Sequence, residues 1–229
     1  LLGGNKVRTT PFPPAGCFGE EEKKALSQVI DSKMLSGFIA KAGEHFLGGQ
    51  KVKELENMVS VYFGTKYAVA CNSATAALHM AVAGLGVGPG DEVITTPYTM
   101  SATATSILMQ NAIPVFADIE PDTFCIDPKS IERLISPRTK AIIAVHLFGQ
   151  SADMDAIMDI ARKHHLKVIE DCAQAPGAKY KGKFVGTFGD AGILSFNQHK
   201  TITTGEGGFC SAMMIRLRRR QGLCVIMAR

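Results

Sequence analysis

No run of apolar residues in this 229-residue chain approaches the roughly 20 that a membrane-spanning helix needs, so no membrane partner is expected. The opening Leu-Leu-Gly-Gly-Asn-Lys-Val-Arg has neither the apolar core nor the cleavage site of a secretory leader, which predicts a cytoplasmic protein. It has no initiator methionine either, and the true N-terminus is expected upstream. The six cysteines (Cys17, Cys71, Cys125, Cys172, Cys210 and Cys224) form no Cys-x-x-Cys pair and have no histidine cluster beside them. Several fall in apolar strands, where a reduced thiol acts as a small hydrophobe, so neither a disulfide frame nor zinc is expected. His146, His164, His165 and His199 share no metal-ligand spacing, the 164/165 pair is expected on an exposed helix face, and no Gly-x-Ser-x-Gly elbow supports a hydrolase. Acidic residues are missing from Met213 to Arg229, which carries Arg216, Arg218, Arg219, Arg220 and Arg229. Taking those five from the formal net charge of +4 leaves −1 for the rest, so basicity belongs to the tail and gives no reason to expect nucleic acid on the folded body.

What is present reads as one globular α/β domain. Hydrophobic residues make up 46% and charged residues 20%, and the length is enough for a sizeable core. The stretch 1–16, with Pro11, Pro13 and Pro14, predicts an extended arm, and 17–212 a large domain. Glu20 to Met34 has helical spacing, with Ala25, Leu26, Val29 and Ile30 on one face and acids in the first turn. Lys51 to Phe63 repeats the pattern through Val52, Leu55, Met58, Val59 and Tyr62, and Gly64 is placed to stop it. Strands are then expected at Tyr67–Cys71, Glu92–Thr96, Ile113–Asp118, Ala141–His146, Lys167–Cys172, Ala191–Phe196 and Gly208–Ala212. Helices are expected at Ala74–Leu85, Ser101–Gln110, Pro128–Leu134 and Met154–His165. Most crossovers are long enough to hold a helix, which implies a largely parallel sheet with helices on both faces. The link from Phe196 to Gly208 has none, so the seventh strand is expected to pair antiparallel. Gly84-Leu-Gly-Val-Gly88-Pro-Gly90-Asp91 precedes a strand instead of following one, and it reads as a helix exit and turn, not a dinucleotide fingerprint.

The chemistry concentrates around Gly192-Ile-Leu-Ser195-Phe-Asn-Gln-His-Lys200, which leads into the glycine cluster Gly205-Glu-Gly-Gly208. A buried strand there gives way to a polar turn that presents one lysine. Another apolar strand ends on Asp171, with Gln174 three residues on. A third strand end, Asn72-Ser73-Ala74-Thr75, opens a helix and so aims free N–H groups and the positive end of a dipole at an anion. A lone loop lysine is usually a surface charge, a lone strand-end carboxylate is common, and Ser73 alone would be an ordinary helix cap. Together they are what pyridoxal phosphate (PLP) requires: an amine for a Schiff base, a carboxylate for the ring nitrogen, and N–H groups for the phosphate.

With these residues in place, the sequence resembles the DegT/DnrJ/EryC1/StrS family of sugar aminotransferases. The resemblance rests on Tyr62-Phe-Gly64-Thr-Lys-Tyr-Ala-Val, Asn72-Ser-Ala-Thr-Ala-Ala-Leu-His, Gly88-Pro-Gly-Asp-Glu-Val and His146-Leu-Phe-Gly-Gln. Glu170-Asp-Cys-Ala-Gln174, Phe188-Gly-Asp190, Ser195-Phe-Asn-Gln-His-Lys200 and Gly205-Glu-Gly-Gly208 follow in the family's order. It implies the aspartate-aminotransferase fold, a three-layer α/β/α large domain of fold-type-I PLP enzymes with seven strands, the last antiparallel. It implies that Lys200 carries the cofactor and shuttles the proton, and that Asp171 keeps the ring nitrogen protonated. Gln174 would face the phenolic oxygen, and Ser73, Ala74, Thr75 and Ser195 would hold the phosphate. Met100 stands where many relatives have an aromatic residue stacked on the ring, and its polarizable sulfur can cover a ring too. The implied reaction moves an amino group from glutamate or glutamine to a keto sugar, nucleotide-linked, or to a keto cyclitol, in a homodimer when the chain is full length. Relatives with histidine at the lysine position dehydrate sugars, and Lys200 speaks against that reading. A non-catalytic PLP-binding or regulatory relative is the third alternative.

After Ala212 the resemblance stops, where relatives continue with an acidic segment, an Arg-Asn-His-Gly motif and a C-terminal small domain. Read one base out of register, the codons of Met213-Met-Ile215 allow Asp-Asp, and those of Leu223 to Ala228 allow Arg-Asn-His-Gly. A reading-frame slip near Ala212 is therefore expected in preference to a native basic amphipathic tail. A chain lacking the small domain is expected to be impaired in cofactor binding and turnover.

Overall fold

The structure, a computed structural model, describes residues 3–5, 7–11, 18–35 and 48–212. The basic tail 213–229 and part of the arm lie outside the described residues. Helix α1 (Glu20–Asp31) stacks Glu20, Glu21 and Glu22 in its first turn, where acids suit the helix dipole. It ends three residues before the expected Met34, as Ser32 caps it and Lys33 turns left-handed at φ 56°. Its Leu26 and Ile30 are exposed. Helix α2 (Gln50–Phe63) stops as expected at Gly64, whose φ of 66° lets Thr65 N–H reach back to the Ser60 carbonyl at 3.0 Å.

Beyond α2 the chain alternates as the hydrophobic pattern implies. The strands are β1 (Tyr67–Cys71), β2 (Glu92–Thr95), β3 (Ile113–Phe116), β4 (Thr139–Val145) and β5 (Lys167–Asp171). A small hairpin of β6 (Lys179–Tyr180) and β7 (Lys183–Phe184) follows, then β8 (Ala191–Ser195) and β9 (Gly208–Ala212). The helices between them are α3 (Ala74–Gly84), α4 (Ser101–Leu108), α5 (Pro128–Leu134) and α6 (Met154–His164). Seven strands form one sheet in the order β1-β9-β8-β5-β4-β2-β3. Among the described residues, β9 is the one strand of this sheet that runs against its neighbours, antiparallel to both β1 and β8, and the other six point one way.

Alternation along the strands divides the core between two faces. Val93, Ile143, Ile169 and Ile193 pack with Ala77, Leu78, Ala81 and Val82 of α3 and with Ile107 of α4. Ile94, Ile142, Ala144 and Val168 pack with Ile131 of α5 and with Met154, Ile157 and Ala161 of α6. On that second side, Val59 of α2 meets Leu194, Phe196 and Phe209 at the β1 end of the sheet. The result is three layers, α/β/α. Because β3 is the edge strand, its Ile113 and Phe116 remain exposed, and it ends two residues before the expected Asp118. His164 is half-buried and bonds Glu132 at 3.0 Å, while His165 is the exposed left-handed cap of α6.

One buried ionisable pair fastens the layer edge. Glu170 is fully buried and accepts four bonds: from Gly186 N–H, Phe188 N–H and Gly189 N–H, each at 2.7 Å, and from His146 Nε2 at 3.1 Å. His146 Nδ1 accepts from Ala152 N–H at 3.1 Å, so the ring proton sits on Nε2. Glu170→Ala leaves three N–H groups unpaired in the interior and is expected to cost about 3 kcal/mol or more. Chemical denaturation of the variant against the parent measures that loss.

Candidate active site

All the parallel strands present their carboxyl ends at one edge of the sheet, where ligands of open α/β folds bind. Asp171 ends β5 there, and Ser195 ends β8 beside the first residue of the antiparallel β9, Gly208. Cys71 ends β1 opposite the same Gly208 and leads directly to Ser73, the N-cap of α3. Met100 caps α4 just after β2. Topology thus gathers at one edge the ends of β1, β5 and β8 and the starts of α3, α4 and β9, which lie far apart in sequence.

Asp171 is 4% exposed, and no salt bridge reaches it among the described residues. Its Oδ1 accepts from Ala173 N–H and its Oδ2 from the Thr103 hydroxyl, both at 3.1 Å. Burial pushes its carboxyl above the ordinary aspartate value. The two hydrogen bonds and the fields of His146 and Lys200 oppose that rise without cancelling it. Lys200, whose charge is the smallest of those influences, sits in a turn closed by its own N–H on the Asn197 carbonyl at 2.9 Å. Cys172, the next residue, is pushed well above the usual thiol range by burial and by both neighbouring carboxylates, which removes it as a nucleophile.

Gln174 Oε1 accepts from Phe148 N–H at 3.1 Å, in a tight turn where Phe148 is left-handed at φ 52°. With its oxygen so engaged, the Gln174 amide has its NH2 to offer, a donor suited to an anionic oxygen. Ser73 Oγ accepts from Ala76 N–H, and the Ser73 carbonyl from Ala77 N–H. The N–H groups of Ala74 and Thr75 come before the first intrahelical bond and face the open end of α3. Thr75 is exposed, Ser195 is buried with Oγ near Asn197 N–H at 3.4 Å, and Met100 is 69% exposed. A helix end with free N–H groups and a buried carboxylate that has no salt bridge among the described residues, with Lys200 in the loop after β8, suit a ligand carrying phosphate at one end and a protonated ring nitrogen at the other.

Gly208 explains why the glycine cluster belongs to this site. A Cβ there would lie 2.5 Å from the Ser73 carbonyl carbon and 2.6 Å from Ala74 N, both backbone atoms. Gly208→Ala is expected to displace the start of α3 and weaken phosphate binding about tenfold, a loss measurable by titrating the variant with PLP.

Sequence reasoning missed two contributors, the Thr103 hydroxyl and the Phe148 N–H. Thr103 could have been found, because it and Ser106 are hydroxyl residues on the otherwise apolar buried face of α4 that ends in Ile107. The Phe148 contact depends on a backbone turn with no side-chain signature.

A seven-stranded α/β/α sheet with only its last strand reversed, and these groups at its carboxyl edge, is the architecture of fold-type-I PLP enzymes. The chain belongs to the DegT/DnrJ/EryC1/StrS aminotransferase family, whose model matches residues 19–214. It is 45% identical over 209 residues to a putative L-glutamine:3-amino-2,3-dideoxy-scyllo-inosose aminotransferase of Streptoalloteichus tenebrarius, covering 91% of this chain and 49% of that one. It is 48% identical over 181 residues to GDP-perosamine synthase of Caulobacter vibrioides, covering 76% of this chain and 49% of the relative. Among solved structures, NtdA of Bacillus subtilis with bound cofactor PMP superposes with a TM-score of 0.76 at 32% identity, over 92% of this chain and 46% of that one. The chain thus spans about half the length of the curated relatives it matches.

Proposed function

We propose that this chain is the PLP-binding part of an aminotransferase that moves an amino group from glutamate or glutamine to a keto sugar, nucleotide-linked, or to a keto cyclitol. The observation that carries the proposal is Asp171, buried and without a salt bridge among the described residues, at the carboxyl edge of the sheet where α3 opens. When bound, the cofactor supplies an electron sink for the charge left on a carbon that loses its proton. Lys200 would hold the cofactor covalently. Once released, its Nζ would take the proton from the donor's α-carbon and pass it on to the cofactor within the same half-reaction, then carry a proton the opposite way, from cofactor to acceptor carbon, in the second. Asp171 would pair with the ring nitrogen. Ser73, Ala74, Thr75 and Ser195 would hold the phosphate, Gln174 would donate to the phenolic oxygen, and Met100 would cover the ring. The likeness to a cyclitol aminotransferase and to GDP-perosamine synthase supports both acceptor classes. A homodimer is the working form proposed for the protein.

The test supplies PLP with either glutamine or glutamate, and with either scyllo-inosose or a nucleotide-linked 4-keto sugar, and follows the aminated product by mass. Amination supports the proposal. Sugar dehydration without amination would make the protein a dehydratase, and cofactor binding with neither reaction would make it a non-catalytic relative.

A further inference from the structure

We infer that Thr103, backed by Thr99, is a positioning residue that holds Asp171 ionised and aimed along the sheet edge; the inference rests on the PLP site proposed above. Thr103 is fully buried at the start of α4, and its hydroxyl stands 3.1 Å from Asp171 Oδ2 across a gap of 68 residues in sequence. Its Oγ1 lies 3.0 Å from Oγ1 of Thr99. A hydroxyl has one proton to give. Since Thr103 gives its proton to the carboxylate, Thr99 must be the donor in the second contact. Two hydroxyls thus point their protons the same way, Thr99 to Thr103 to Asp171, and bonds aligned in series strengthen one another.

The alignment answers a specific difficulty. Burial drives Asp171 towards its neutral form, in which it cannot pair with a cationic ring nitrogen. The titratable groups acting on it are Lys200 from the loop, His146 from the end of β4, and Cys172 next in the chain. Lys200 cannot be relied on for this, because the proposed chemistry engages its amine. A hydroxyl donor favours the carboxylate whatever Lys200 is doing. The same turn of α4 also begins at Met100, whose carbonyl accepts Thr103 N–H at 3.1 Å. The residue proposed to cover the ring and the carboxylate proposed to hold it are therefore tied through one helical turn.

The experiment compares the parent with Thr103→Val, Thr103→Ser and Thr99→Val, all as the full chain. The carboxyl carbon of Asp171, assigned by its loss in Asp171→Asn, is titrated by 13C NMR without cofactor, and PLP affinity is measured separately. Thr103→Val is expected to move the Asp171 midpoint to higher pH and weaken PLP binding about tenfold, with Thr103→Ser restoring both. Thr99→Val should shift both in the same direction by less, and it carries the test if the valine at 103 does not fold. An unmoved Asp171 midpoint in both valine variants overturns the inference. If the parent itself binds no PLP, the cofactor reading fails, while the carbon titration still reports on the hydroxyl chain.

Discussion

Lys200→Ala is expected to abolish the long-wavelength absorbance of covalently held cofactor and to lower amino transfer about 10³-fold, the scale of a lost general base. Two roles converge on that one amine, so the loss is larger than removal of any single contact with the phosphate would give. The field of Lys200 at Asp171 has a further consequence. Without the ammonium, the buried carboxylate loses one of the influences that keep it charged, so Asp171 in the variant is expected to titrate at higher pH than in the parent. Cofactor held only through its phosphate should still bind, and dialysis should remove it faster. A spectrum unchanged by the substitution would place the covalent attachment elsewhere.

Asp171→Asn has the second large effect, and its sign differs between the free and cofactor-bound protein. In the free protein the carboxyl's value is raised by burial above the ordinary 3.8. A raised acid contributes stability that is complete below its unfolded value and is lost as pH rises through its folded value. The parent should therefore lose stability relative to the Asn variant as pH climbs from about 3.8 through the carboxyl's raised folded value, and the gap between their melting temperatures should widen in the variant's favour. With PLP the order reverses, because the ring nitrogen then faces a neutral amide. Removing one partner of a buried pair costs about 3–5 kcal/mol, so amino transfer should fall at least about a hundredfold. Melting curves across pH, with and without PLP, check both signs. An Asn variant that is less stable than the parent in the free state at neutral pH would mean that Asp171 is structural.

Much of the architecture could be read from periodicity because the sheet is doubly covered. Ala141–His146 is a near-continuous apolar run and Lys167–Cys172 has a Val-Ile centre before two acids, and both lie within a residue or two of the observed β4 and β5. The reversed β9 followed from a link too poor in helical pattern to cross over. The hairpin of β6 and β7 was invisible: each strand is two residues long, too short to show alternation, and its turn uses Lys181 and Gly182, both at positive φ. Helix α1 formed as its spacing implied, yet periodicity could not say what its apolar face meets.

The site divides the same way. Asp171, Lys200 and Ser73 could be named from residue type and place at strand ends, because the carboxyl edge of a parallel sheet is where such groups must converge. What holds them could not. The register that sets Gly208 against both Cys71 and Ser195, the Thr103 bond to Asp171, and the four bonds on Glu170 are all contacts across long sequence gaps. Sequence separation hides them, and only the assembled sheet brings them together.

The most direct test of the central claim is borohydride reduction of the chain mixed with PLP, followed by peptide mass spectrometry. A stable phosphopyridoxyl group on Lys200, absent from the other lysines and lost in Lys200→Ala, is the expected result. Label on a different lysine, or none at all while PLP is present in excess, would contradict it.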